Sequence, residues 1–489
     1  MIQRYKKHIL IISILKLLII FLLPLTGDEA YFIKWATHLD LGYYDHPPMV
    51  GWMIYLMQYI NGSYIFFRLF SFVTVFIIAY FIYKILLEFS ISKQKAIFSS
   101  LLFILMPIDV LISLFTNDIP LLLFGTIGSY FLLKSFRKDY IKNSIFSGIF
   151  LGFSFLSKYF AVFLILGLLI YIISTYKTKA IKHIFIVTLT LFPFIIENLY
   201  FNYTSCWNNI MFNFFARTDN LHFHISTLIG YLIILIYLLT PWGIYYTIKS
   251  KDNFNNKQLL KFIISSTGIG LSVFLMVSLK AEIGLHWILL FTPYLWMLFV
   301  FIKDEYQSKF IKYNLIFTYF HIGILLLILL LPNSVLQKHK KYKDIILFTN
   351  TQEICKNILS YNNLFTTGYT SASILSYHCK KDIKMILNNS KYGRQDDKLV
   401  NIKTLQNETI NIFFKKKPNI NSLKKVFEKV RIISFEVLNQ TFYIANCKNL
   451  IYKNYKNNYL DIQKEKFYNI PSWLPVRDCY FYNRYYKYN

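Results

Sequence analysis

Residues 9–49 read ILIISILKLLIIFLLPLTGDEAYFIKWATHLDLGYYDHPPM, and the break inside this stretch organises the rest of the chain. Residues 9–25 are almost wholly apolar, close to the about 20 residues a bilayer crossing needs. The run is long for a signal-peptide core, and the carboxylates after it do not make a small-residue cleavage site. It therefore reads as a first membrane helix ending near Leu25, with Lys16 as its flaw. A polar loop, 26–62, follows. Asp28 and Glu29 stand at its start, where a helix dipole favours anions. Phe32, Trp35, Ala36 and Leu39 fall at i, i+3, i+4 and i+7, which predicts an amphipathic helix lying in the membrane interface. Gly42 ends that pattern. Tyr43 to Pro48 should form an extended, rigid turn, because residues before proline avoid the helical region, and Pro47-Pro48 should open a second helix. Asp28, Glu29, Asp45 and His46 thus gather in one loop at a membrane surface.

Hydropathy outside this stretch repeats the pattern. Of 489 residues, 55% are hydrophobic and only 16% charged, where soluble chains carry about 25% charge. That excludes a cytosolic enzyme, a disordered chain and a small disulfide scaffold. Further spans are expected at about 64–87, 96–115, 119–136, 144–156, 160–173, 184–200, 227–248, 259–279, 287–302 and 315–331, giving about eleven. The fold class expected is a polytopic α-helical membrane domain, 1–332, followed by a soluble α/β domain, 333–489. In the tail, DIILFTN and TINIFF look like buried strands and SLKKVFEKV like an amphipathic helix.

Charge placement sets the expected orientation. Lysine and arginine crowd alternate ends of the spans, for example Lys6 and Lys7, Lys93 and Lys95, Lys138 and Lys142, and Lys179 and Lys182. The opposite ends hold few, such as Lys34, Arg68 and Lys158. By the positive-inside rule the N-terminus is cytoplasmic and an odd span count places the tail outside. The net charge of +28 would otherwise suggest nucleic acid. The tail holds 27 Lys and Arg against 11 Asp and Glu, and the chain has 45 Lys but 8 Arg. Base-edge readers favour Arg, and no helix-turn-helix, zinc or aromatic RNA motif is present, so no nucleic-acid partner is expected. Cys206 falls in an external loop and Cys355, Cys379, Cys447 and Cys479 in the external tail. An oxidising compartment permits disulfides there, with the pairing open.

GDEAYFIKWATHLDLGYYDHPPM closely resembles the first external loop of the GT-C glycosyltransferases of the protein O-mannosyltransferase and lipid A aminoarabinose transferase superfamily. TNDIPLLLF, FLSKYFAVFLILGLLIY, TPWGIYY and AEIGLHW resemble later segments of that family in the same order. YTSASILSYHCKKDIKMILNNSKYGRQDD resembles the soluble domain of bacterial members. The resemblance implies a bacterial inner-membrane enzyme with a periplasmic C-terminal domain. It would move a sugar from a polyprenyl (undecaprenyl) phosphate to a cell-envelope lipid or glycan, with lipid A the first acceptor.

Residue roles then follow as expectations. Asp28, Glu29 and Asp118 are the catalytic candidates, with Asp28 the base for a hydroxyl acceptor. Asp118 could equally cap the helix after it. His46, Lys158, Arg217 and His286 are candidates for the donor's phosphate, Arg217 because guanidinium binds phosphate bidentately. Lys158 could instead snorkel. Asp45 is the candidate ligand for a divalent metal of unknown identity. No nucleotide cofactor is expected, since no Rossmann glycine motif is present. His46 departs from the lysine that the aminoarabinose branch carries before its double proline. The alternatives are protein glycosylation of the O-mannosyltransferase kind and, from another class, a membrane transporter or lipid flippase, which would place carboxylates near the bilayer midplane.

Overall fold

The computed structural model describes residues 2–107, 112–216 and 223–486. The chain divides into two compact units. One gathers Met1–Leu23, Ile60–Glu197 and Asn220–Leu330; the other gathers Pro24–Tyr59, Asn198–Asp219 and Leu331–Asn489.

The first unit is helical. Its elements include Ile2–Leu22, Tyr64–Glu88, Lys93–Ile104, Asp118–Ser135, Tyr140–Phe155, Ala161–Tyr176, Lys257–Ser278 and Asp304–Leu329. Among the described residues four helical stretches are long and apolar enough to cross a membrane, or up to six if each of two bent helix pairs is one span. Hydropathy predicts eleven. Several of the expected spans are short helices: Lys93–Ile104 has 12 residues and Tyr140–Phe155 has 16. At 1.5 Å per residue these fall short of an about 30 Å hydrocarbon core.

Close packing rests on small residues, as expected where lipid supplies no hydrophobic drive. A Cβ on Gly148 would collide with Thr190 and the Val187 carbonyl, and one on Gly152 with the Phe194 ring. Ser147 Oγ donates to the Gly128 carbonyl at 3.0 Å and Ser154 Oγ to that of Leu121 at 3.1 Å. Two cations within this unit cap helices. Lys16, the flaw in the first apolar run, donates to the Ile104 carbonyl at 2.9 Å, in the last turn of Lys93–Ile104. Arg68, fully buried, donates to the carbonyls of Ile20 (3.2 Å) and Leu23 (2.6 Å). Each satisfies carbonyls that a helix end leaves without an intrahelical donor.

The second unit holds a five-stranded sheet: β1 (Leu364–Thr366), β2 (Lys384–Met385), β3 (Ile410–Phe414), β4 (Phe427–Val437) and β5 (Gln440–Leu450), in the order β2-β1-β3-β5-β4. β1 pairs in parallel with β2 and β3; β5 pairs antiparallel with β3 and β4. The β4–β5 hairpin turns on Leu438 and Asn439, both at positive φ (47° and 61°), the backbone of a two-residue primed turn. TINIFF is strand β3, as its composition predicts. DIILFTN is not a strand: it lies in the helix Tyr342–Thr349, which buries Tyr342, Ile346 and Leu347. In SLKKVFEKV the helix stops at Lys424 and β4 begins at Phe427, because VRIISFEV pairs along β5.

This unit is wider than the 333–489 tail. Its core includes Ile412, Phe427, Ala445 and Phe481 from the tail, but also Tyr44 from the early loop and Cys206 and Phe212 from the middle of the chain. The covalent links follow that arrangement. Cys206 bonds Cys479 across 273 residues and Cys355 bonds Cys379, while Cys447 remains a buried free thiol. Burial pushes the Cys447 thiol up to about 12, so it is a poor nucleophile. Non-reducing peptide mapping should therefore recover the 206–479 and 355–379 cross-links, with Cys447 alkylated only after unfolding. A cross-linked peptide containing Cys447 would contradict the arrangement.

Candidate active site

The loop after the first helix is built from its ends inward. Thr26 caps the helix Gly27–Thr37. Its Oγ1 donates to Glu29 Oε2 at 2.9 Å, its amide donates to the same oxygen at 3.2 Å, and the Glu29 amide returns a bond at 3.4 Å. This capping box assigns buried Glu29 a structural use. Its neighbour Asp28 stays exposed, with the Tyr369 hydroxyl donating to its Oδ1 at 3.4 Å. Burial, then the Asp28 charge, pushes the Tyr369 phenol up to about 12, so Tyr369 remains a donor to the carboxylate at neutral pH.

The apolar stripe of this helix is covered by protein, which corrects the expectation of an interfacial helix. Phe32, Trp35 and Ala36 are buried while Leu39 is exposed. The Tyr31 ring meets Tyr369 edge-on at 5.1 Å, and a Cβ on Gly27 would overlap Thr370 at 2.6 Å, so the helix start sits hard against Tyr369–Cys379. Hydropathy can say that a stripe needs cover, not whether lipid or protein supplies it.

The turn that follows is fixed by stacking and by polar clasps. Trp35 stacks on Tyr43 at 4.2 Å, and the Tyr43 hydroxyl donates to the Trp35 carbonyl at 3.0 Å. The Tyr43 amide donates to the His46 carbonyl at 3.0 Å, closing the turn before Pro47, and the next helix runs Met49–Met57 with Pro48 as its cap residue. A Cβ on Gly51 would strike the Tyr43 hydroxyl at 2.6 Å, so glycine there lets the ring lie flat. Asn209 donates to the carbonyls of Tyr43 and, at 3.2 Å, Tyr44; Asn213 donates to that of Asp45 at 3.4 Å. Asp45 is buried. The His46 ring is half-buried, 6.5 Å from Phe32 and 6.2 Å from Trp35.

The deepest anchor is Lys34. Its Nζ donates to Asp396 Oδ1 at 3.1 Å, to Oδ2 at 3.3 Å and to the Ile383 carbonyl at 2.9 Å, with side-chain exposures of 5% and 3% for the pair. Asp396 Oδ2 also accepts from the Met385 amide at 2.6 Å. One residue earlier, Gln395 Oε1 accepts from the Tyr44 amide at 2.8 Å. One residue later, Asp397 pairs with Arg394 at 3.3 Å and accepts from the Tyr468 hydroxyl at 2.8 Å. Asp40 and Lys398 form a further ion pair. The segment 394–398 is therefore a clasp for the loop. Asp396 stands in the motif YGRQDD and carried no sequence signal of its partner 362 positions away.

In the helical unit the structure brings Asp118 and Lys158 together. Lys158 Nζ donates to Asp118 Oδ1 at 2.8 Å, each side chain 6% exposed, and lies 5.1 Å from the centre of the Phe160 ring. Asp118 is the first residue of Asp118–Ser135. Lys158 sits in the turn between Tyr140–Phe155 and Ala161–Tyr176, so it does not snorkel; its charge is matched by the carboxylate. His286 is exposed in the short helix Leu285–Ile288. Arg217 lies outside the described residues. Among the described residues no three His, Cys, Asp or Glu side chains are grouped to hold a metal ion.

Residues 45–201 match the family model described as dolichyl-phosphate-mannose-protein mannosyltransferase. The fold agrees with ArnT from Cupriavidus metallidurans bound to undecaprenyl phosphate, at a TM-score of 0.61 and 11% identity over 90% of this chain and 98% of that one. The apo form of that protein gives 0.59 and 12%, over 91% of this chain and 98% of that one. Residues 45–201 thus resemble that mannosyltransferase family, and the chain shares its fold with ArnT. The chain is a polytopic helical membrane protein. The lipid A galacturonosyltransferase RgtD of Rhizobium johnstonii is 24% identical over 275 residues, 53% of this chain. The match spans about half, 55%, of that protein's length.

Two tests follow. Lys34→Met or Asp396→Asn alone leaves a buried charge without its partner and should destabilise the protein by about 3–5 kcal/mol. The double variant, which keeps an acceptor for the Met385 amide, should recover most of that; unfolding of the detergent-solubilised full chain measures it. Burial raises the Asp397 carboxyl to about 6 against the pull of Arg394 and the Tyr468 hydroxyl. The folded state then binds the proton more tightly than the unfolded chain, whose Asp titrates near about 4. This group's stabilisation is full below about 4 and is lost as pH rises through about 6. Asp397→Asn should flatten that part of the pH profile.

Proposed function

We propose that the chain transfers a sugar from a polyprenyl phosphate donor to an envelope acceptor, with lipid A the preferred acceptor, at the outer face of a bacterial inner membrane. The observation that carries this reading is the likeness of fold over 90% of the chain to a protein whose structure holds undecaprenyl phosphate. The relative that acts on lipid A supports the acceptor, and the two disulfides support an oxidising compartment for the second unit. The family model's description favours a second reading, a protein hydroxyl as acceptor.

In either case the acceptor oxygen forms a bond to the sugar's anomeric carbon as the bond to the lipid phosphate breaks, and configuration inverts. Negative charge grows on the departing phosphate, so fixed cations nearby would stabilise the transition state. Lys158 suits that role less than its charge suggests, because Asp118 already neutralises it at 2.8 Å. Arg217, His46 and His286 remain the candidates. Exposed Asp28 is the base for a hydroxyl acceptor; a lipid A phosphate is already anionic, and Asp28 would then orient the donor sugar. Glu29, engaged in the capping box, is proposed for structure rather than proton transfer.

Mass spectrometry of envelope lipids from a deletion strain should show one missing sugar, restored by the wild-type chain but not by Asp28→Asn at equal membrane abundance. Full restoration by Asp28→Asn would remove Asp28 from the chemistry. An unchanged lipid profile with a lost protein glycan would favour the second reading.

A further inference from the structure

At the lysine-rich end of the helical unit lies a feature that sugar transfer does not use. Tyr140–Phe155 and Ala180–Thr204 both begin there, where Asp118–Ser135 and Ala161–Tyr176 end, so the helix dipoles offset one another and the lysines set the local charge. Between them runs a groove of about 620 Å³ lined by Tyr140, Ile141, Lys179, Ile181, Lys182 and Phe185, among others. Its walls divide by chemistry. Lys179 and Lys182 are exposed, and Lys182 Nζ stands 4.2 Å over the Tyr140 ring, which holds the cation at the groove's rim. Lys138, Lys142 and Lys177 lie within two residues of the lining in sequence, as does Asp139. The floor is apolar and open: Ile141 is 51%, Ile181 65% and Phe185 67% exposed. The apolar track continues along the same helix through exposed Leu189, Phe192 and Ile196, at the three- and four-residue steps that keep one face of a helix. A membrane helix shows such a face to acyl chains.

We propose that this groove binds an anionic phospholipid, its phosphate held by Lys179 and Lys182 and an acyl chain laid over Ile181 and Phe185. Charge complementarity decides the occupant. A zwitterionic headgroup brings a cation into a region already crowded with lysines, whereas an anionic one does not. A free phosphate has no use for the apolar floor. Basic pockets between membrane helices recognise lipid headgroups in this way.

The test uses the delipidated full-length protein in detergent. Native mass spectrometry reads the first bound molecule on titration with dioleoylphosphatidylglycerol, dioleoylphosphatidylcholine or glycerol 3-phosphate. Phosphatidylglycerol should bind at least about ten-fold tighter than phosphatidylcholine. The variant Lys179→Ala/Lys182→Ala should lose about five-fold per lysine, while Lys93→Ala/Lys95→Ala, a cation pair outside the groove, should keep the preference. Lys93, Lys179 and Lys182 are exposed and Lys95 is half-buried beside Asp304, and an unchanged melting temperature verifies the fold of each variant. Equal affinity for the two lipids, an unaffected Lys179→Ala/Lys182→Ala variant, or glycerol 3-phosphate binding as tightly as the lipid would each overturn the proposal.

Discussion

Lys34 and Asp396 meet at 3.1 Å with almost no exposed surface, and the geometry of the loop follows from that contact. Removing two charges from water is costly, and their attraction compensates only when every donor and acceptor is placed. Here the Ile383 carbonyl and the Met385 amide complete the set. An arrangement with the helix Gly27–Thr37 shifted by one residue would bury an unpaired ammonium. The pair therefore sets the register of that helix against the clasp at 394–398, and Gln395 and the asparagines 209 and 213 then hold the turn from Tyr43 to Asp45. The exposed Asp28 inherits a defined position from this buried chemistry. Rigid placement by surrounding structure is what a site needs if its reacting groups are to meet substrate at fixed distances.

The helical unit uses charge in a complementary manner. Arg68 and Lys16 are not free positive charges in an apolar setting; each donates to helix-end carbonyls. Asp118 and Lys158 compensate one another. Ionisable groups at membrane depth are tolerated where such partners exist. The same logic orders the surface cations. A net charge of +28 has no single purpose: part lies in the second unit, part fringes the helix ends, and two of the fringe lysines edge an apolar groove.

Some of this was legible in the chain itself. The apolar runs, the helix that starts at Asp28 and Glu29 and the double proline are local features, and local patterns report on local structure. Thr26-x-x-Glu29 is also a local capping pattern, but its carboxylate was read as catalytic. The cover for the Phe32–Trp35–Ala36 stripe was misread, because periodicity marks a buried face without naming what buries it. DIILFTN was misread for a related reason: a short apolar run suits a strand or a packed helix equally.

By itself the sequence determined the membrane class, the position of the early loop and the superfamily to which its motif points, since each depends on the order of neighbouring residues. Only the tertiary structure decided that Lys34 belongs with Asp396, Cys206 with Cys479, and Asp118 with Lys158. Those partners are separated by 362, 273 and 40 positions. A charge or a thiol in a sequence states a need for a partner, and only the folded chain, by bringing distant segments within a few ångströms, settles which partner meets it.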